Sequence, residues 1–150
     1  MNFEGDLSLL QRKMAASSAG VQRRQAVMEA LNVRSGQSIL DLGCGGGHLV
    51  EELARAVGPH GKAFGLDPSK TQIQAARERC NRFDQATFFC CMADEIALKA
   101  ASCDAVASIQ TLEYIEDVDA ALSAVIPLLK AQSKFVNISI LWDHFKFHGA

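Results

Sequence analysis

The chain lacks any apolar run approaching the ~18 residues that cross a bilayer, so no membrane span is expected. Its first ten residues hold Glu4 and Asp6 and no apolar block. That argues against an export or organelle-targeting signal and predicts a cytoplasmic protein. Neither charge is in surplus: 15 Lys and Arg stand against 17 Asp and Glu. Such a balance provides no basic face for a phosphate backbone, and no nucleic-acid partner is expected. The one basic cluster, Arg23-Arg24, reads as a solvated helix face. The five cysteines, Cys44, Cys80, Cys90, Cys91 and Cys103, include no C-x-x-C pair. They lack metal-site order, so no metal is expected, and they read as reduced, buried structural thiols.

What is present suits one globular domain over residues 1–150, with residues 1–18 as an N-terminal segment and 142–150 as a tail. About half of the residues are apolar (49%) and a fifth are charged (21%), enough to bury a core. Helical and strand-like blocks alternate. Apolar spacing predicts helices over 19–31, 48–57, 71–82 and 117–130, with Ser69 as a cap for the third. Short apolar runs predict strands over 38–42, 62–66, 86–91, 103–109 and 134–141. This alternation predicts an α/β, Rossmann-like parallel sheet of about five strands with helices on both faces. Ligands of such sheets sit at the carboxyl ends of the strands, where the strand order reverses.

The chemistry concentrates at those ends. The first strand runs into Asp41-Leu-Gly43-Cys44-Gly45-Gly-Gly47, and a helix starts at once. Glycines let backbone approach a ligand closely, and the free amides of a helix start favour a polar or anionic group. At the end of the second strand stand Asp67, Pro68 and Ser69, with Asp67 twenty residues past Gly47. A carboxylate there can accept from both hydroxyls of a ribose. The dinucleotide pattern G-x-G-x-x-G is broken, because His48 occupies the place of its third glycine. The spacing present is Asp41-x-Gly43-x-Gly45-x-Gly47.

That spacing resembles the first motif of class I S-adenosylmethionine (SAM) dependent methyltransferases. Val21-Gln-Arg-Arg24, Gly58-Pro-His-Gly-Lys62 and the stretch from Cys103 to Leu122 resemble the ubiquinone/menaquinone-biosynthesis type. The resemblance implies SAM as cofactor. Asp41, Gly43, Cys44, Gly45 and Gly47 then lie along its methionine part, and Asp67 on its ribose. Pro68, Ser69, Met92, Ala93 and Asp94 fall beside adenine, and Gln110 near the transferred methyl. Met92 stands where the family often has an adenine-binding Asp; Asp94 either substitutes for it or is a solvated turn residue. Lys130-Ala-Gln-Ser-Lys134 replaces a turn that usually reads Lys-Pro-Gly-Gly-Arg. The family fold has seven strands, so this sequence, stopping after the fifth, is expected to lack the last two.

The resemblance implies methyl transfer to a small-molecule acceptor, or, as the alternative, a truncated SAM-binding domain without turnover. SAM carries an activated carbon, so positioning is the protein's main task, and no catalytic base is identified. His48 reads as a surface residue, and Tyr114 as packing. Arsenite methylation, suggested by the cysteines, is disfavoured because adjacent Cys90 and Cys91 point to opposite faces of a strand. The apolar fifth strand and the tail, with Trp142, Phe145 and Phe147, predict self-association through a sheet edge.

Overall fold

The computed structural model describes residues 5–140. Five strands form one wholly parallel sheet: β1 (Ser38–Leu42), β2 (Lys62–Leu66), β3 (Ala86–Phe89), β4 (Cys103–Ile109) and β5 (Leu129–Ile138). Their spatial order is β3-β2-β1-β4-β5. The chain moves outward from β1 to β3, then returns to place β4 on the other side of β1. The order therefore reverses between β1 and β4, which opens a crevice at their carboxyl ends.

Five α-helices accompany the sheet: α1 (Asp6–Ala16), α2 (Ser18–Leu31), α3 (His48–Val57), α4 (Lys70–Arg79) and α5 (Val118–Val125). Alternate residues of β1 feed two cores, as the pleat requires. Ile39 packs with Val27 and Leu31 of α2, Leu53 of α3 and Ile73 of α4. Leu40 and Leu42 face the other way, to Ala121 and Val125 of α5. No helix among the described residues is long and apolar enough to cross a membrane.

The predicted β1, α3, β2 and β4 have the observed bounds. Elsewhere the structure differs. The N-terminal segment contains α1, whose Leu7, Leu10 and Met14 fall on one helical side yet remain exposed. β3 ends at Phe89, short of Cys91. The predicted helix 117–130 stops at Val125, because Pro127 cannot supply the next N–H and the chain tightens into a 3₁₀ turn over Ile126–Leu128. β5 accordingly starts at Leu129, five residues early. It loops out at once: Cys103 pairs with Leu129, but Ala105 pairs with Lys134. Gln132, inside this bulge, has φ 61°, a conformation that a glycine would take without strain.

Cys44, Cys80 and Cys103 are buried as expected, but Cys90 is exposed and Cys91 is partly exposed. Leu141 and the tail from Trp142 to Ala150, whose aromatic residues are expected to take part in self-association, lie outside the described residues.

Candidate functional site

The glycine loop between β1 and α3 is held down from both sides. Gly43 and Cys44 both donate their N–H groups to the carbonyl of Leu66 at the end of β2. Gly43 has φ 75°, and a Cβ there would lie 2.2 Å from Thr111 Oγ1, so a side chain is excluded on two grounds. At Gly46 the intruder would meet α1: a Cβ would stand 2.7 Å from Arg12 Cδ.

Asp67 ties this loop to the next one. Its Oδ2 accepts from the Gly45 N–H at 3.0 Å, and its Oδ1 accepts from the Ser69 N–H at 2.9 Å. Ser69 in turn caps α4 by accepting from the Gln72 N–H at 3.2 Å. The carboxylate is only 8% exposed, with its orientation fixed by two backbone donors. Asp41 is buried beneath the same loop, at 3% exposure. Burial pushes its carboxyl up to about 8, the Asp67 charge adds to the rise, and Arg24 opposes it. Burial also raises the Cys44 thiol well above its ordinary value, with Asp41 and Asp67 reinforcing, so Cys44 is an inert neighbour and not a nucleophile.

Two cavities open along the crevice. The outer one, about 870 Å³, is bounded by Asp67, Pro68, Ser69, Met92, Ala93 and Asp94. The inner one, about 290 Å³, is bounded by Asp41 and Gly43 to Gly46 and roofed by α1 and α2. Gln11, Gly43, Gln110 and Tyr114 border both, so the two form a continuous trough. Gln110, directly after β4, has φ 51°, a left-handed conformation that a β-carbon disfavours, and its N–H donates to the Ile138 carbonyl on β5. A strained backbone position thus lies where the two cavities meet.

Every residue that the sequence singled out borders this trough except Gly47, whose left-handed backbone instead caps α3. Around Met92 the chain makes a tight turn. A 3₁₀ turn over Ala93–Glu95 consumes both of its backbone groups: its N–H donates to Glu95 Oε2 at 2.9 Å, and its carbonyl accepts from the Glu95 N–H. Its side chain, half exposed, faces the outer cavity together with exposed Asp94.

The sequence reading missed the roof. Arg12 donates to Ser8 Oγ at 2.6 Å and to Gln72 Oε1 at 3.2 Å, while Gln72, wholly buried, also bonds Gln11. The signal was the spacing of Leu7, Leu10 and Met14, which suits one face of a helix. Arg24 is no solvated residue either: it is 9% exposed, donates to Glu52 Oε1 at 2.6 Å and bonds the Ala15 carbonyl. His48 is a partly buried wall of the inner cavity. Burial lowers its imidazole to about 4, helped by Arg79 and Arg24, so it is neutral near pH 7 and a weak base.

A strand-switch crevice with an acid-anchored glycine loop defines a nucleoside-binding α/β domain. A family model described as a methyltransferase domain matches residues 33–144, and the chain belongs to that family. Its fold is that of the class I SAM-dependent methyltransferases. The chain is 19% identical to a SAM-dependent methyltransferase from Aquifex aeolicus, with a TM-score of 0.74 over 85% of this chain and 68% of that one. Among curated proteins, it is 28% identical over 129 residues to a ubiquinone biosynthesis O-methyltransferase of Bradyrhizobium diazoefficiens, spanning 85% of this chain and 50% of that protein. It is also 28% identical over 131 residues to an uncharacterised 37.1 kDa protein in a Streptomyces fradiae transposon, of which it spans 38%. The chain therefore spans half or less of the length of these two curated relatives.

Proposed function

We propose that the chain binds SAM along this trough and transfers its methyl group to a small-molecule acceptor. The observation that carries the reading is the fixed Asp67 carboxylate at the junction of the glycine loop and the outer cavity, with Asp41 buried beneath the same loop. The adenosine part then occupies the outer cavity, with ribose hydroxyls on Asp67 and adenine beside Pro68, Ser69, Met92, Ala93 and Asp94. The methionine part follows Gly43, Cys44 and Gly45 into the inner cavity, above Asp41, and Gln110 stands at the sulfonium end.

The chemistry asked of the protein is modest. Bound SAM would supply the activated methyl group: the acceptor's lone pair bonds the methyl carbon in line as the carbon–sulfur bond breaks, and the neutral thioether S-adenosylhomocysteine leaves. Alignment along the trough can account for ~7–11 kcal/mol of such a barrier. A neutral His48 and an inert Cys44 fit a site that positions and excludes water, without proton abstraction by either group.

Calorimetric titration of the chain with SAM, S-adenosylhomocysteine and NAD tests the reading. The two adenosyl ligands are expected to bind and NAD is not. Asp67→Ala should weaken S-adenosylhomocysteine at least about tenfold, since two charge-assisted bonds of ~1.5–3 kcal/mol each are lost. Unchanged affinity in that variant refutes the placement.

A further inference from the structure

Three arginines border the inner cavity, and they are not equivalent. Arg12 is engaged by Ser8 and Gln72, and Arg24 by Glu52 and the Ala15 carbonyl. Arg23 is half-buried on the cavity wall and makes no hydrogen bond or ion pair with any described residue. Around Arg23 the wall near α1 includes apolar side chains: Leu7, Leu10 and Met14 border the cavity and are 39%, 53% and 52% exposed. Ile109, at the end of β4, closes the opposite side.

A guanidinium without a partner among the described residues, beside exposed apolar side chains, matches a ligand with an apolar body and one negative charge. A single fork of donors suits a carboxylate, which it can hold through two parallel bonds. We infer that the methyl acceptor is an apolar small molecule bearing a carboxylate, received by Arg23 with its body against Leu7, Leu10 and Met14. This rests on the cofactor placement above, in which the methionine carboxylate takes the amides of the glycine loop and Arg23 is left to the acceptor.

The test uses the full chain saturated with S-adenosylhomocysteine, whose own affinity is measured first. Cinnamate and octanoate are titrated at fixed ionic strength, each against its primary amide. At least one acid should bind about tenfold or more tightly than its amide, and Arg23→Gln should abolish that preference while leaving the S-adenosylhomocysteine affinity unchanged. Arg23→Lys should keep part of it. Arg23 makes no hydrogen bond or ion pair with a described residue, so neither change removes one. Equal binding of acid and amide, no binding of any probe, or a preference that survives in Arg23→Gln overturns the inference. A fall in S-adenosylhomocysteine affinity in Arg23→Gln without loss of acid preference also overturns it, and assigns Arg23 to the cofactor's carboxylate. If the wild-type chain fails to bind S-adenosylhomocysteine, the cofactor reading fails by itself. The acid–amide comparison on the unliganded chain then decides the Arg23 site separately.

Discussion

Asp41 and His48 should give the stability of this domain a distinctive pH profile. The Asp41 carboxyl is raised by burial from 3.8 to about 8. Between those values the folded state holds a proton that the unfolded state has released, so stability falls as pH rises. The His48 imidazole is lowered by burial from 6.5 to about 4. There the unfolded state holds the extra proton, and stability rises with pH across that interval. One proton of difference is worth ~1.4 kcal/mol per pH unit. From about pH 4 to 6.5 the two slopes oppose and largely offset. From about pH 6.5 to 8 only Asp41 acts, and roughly 2 kcal/mol of stability should disappear. Asp41→Asn should abolish that loss and uncover the rise below pH 6.5. That rise should be smaller than the ~3 kcal/mol of a fully shielded imidazole, because His48 is partly solvated. Urea unfolding at half-unit pH intervals reads both limbs. A wild-type chain with constant stability from pH 6.5 to 8, or an Asn variant with the wild-type decline, would refute the assignment of the buried proton to Asp41.

Further outcomes follow from other parts of the trough. Met92→Asp should tighten S-adenosylhomocysteine several-fold in a calorimetric titration, because a carboxylate there can accept from the adenine amino group; weaker binding would count against adenine lying beside residue 92. Gln110→Gly should relieve a left-handed backbone worth ~1–2 kcal/mol, less the ~0.5–1 kcal/mol that glycine adds to unfolded-state entropy. Its urea midpoint should be unchanged or higher while cofactor affinity falls; a clear loss of stability would show that the strain is not there. Among the described residues β5 pairs only with β4, and its free edge is proposed as a self-association surface together with the tail. Light scattering at micromolar concentration should report a species larger than ~16 kDa that dissociates on replacing Phe145 and Phe147 with Ser. A monomer unaffected by those changes excludes it.

The sequence was most legible where one residue type had a single physical reason to be present. β1 and β2 are short apolar runs stopped by glycines or by Asp67-Pro68, and both ends of each came out as observed. The carboxylate at position 67 could be placed from strand order alone, and the structure adds the amides of Gly45 and Ser69 that orient it. Legibility failed where tertiary contacts decide. The apolar pattern of helix 118–125 runs on through Leu128 and Leu129, and only Pro127 marks the boundary. The engagement of Met92 by Glu95 is a local turn that no period reveals. Arg24 looked solvated because charge is usually outside, yet Glu52 and a backbone carbonyl offset its burial. Arg23 beside it differs only in its direction around the helix, which sequence spacing does not fix.

The roof over the inner cavity has a kinetic consequence. α1 buries only Ser8 among its own residues and is fastened by polar links: Arg12 and Gln11 to Gln72, and the Ala15 carbonyl to Arg24. Lifting it exposes little new apolar surface, so the cost of opening is set by a few hydrogen bonds of ~1 kcal/mol each, well below the cost of global unfolding. A ligand seated under α1 leaves only when this latch is released, so its residence time combines the frequency of opening with the contacts that the ligand itself makes. On the proposed function, exchange of spent for fresh cofactor would then need breathing of eleven residues while the sheet below stays intact.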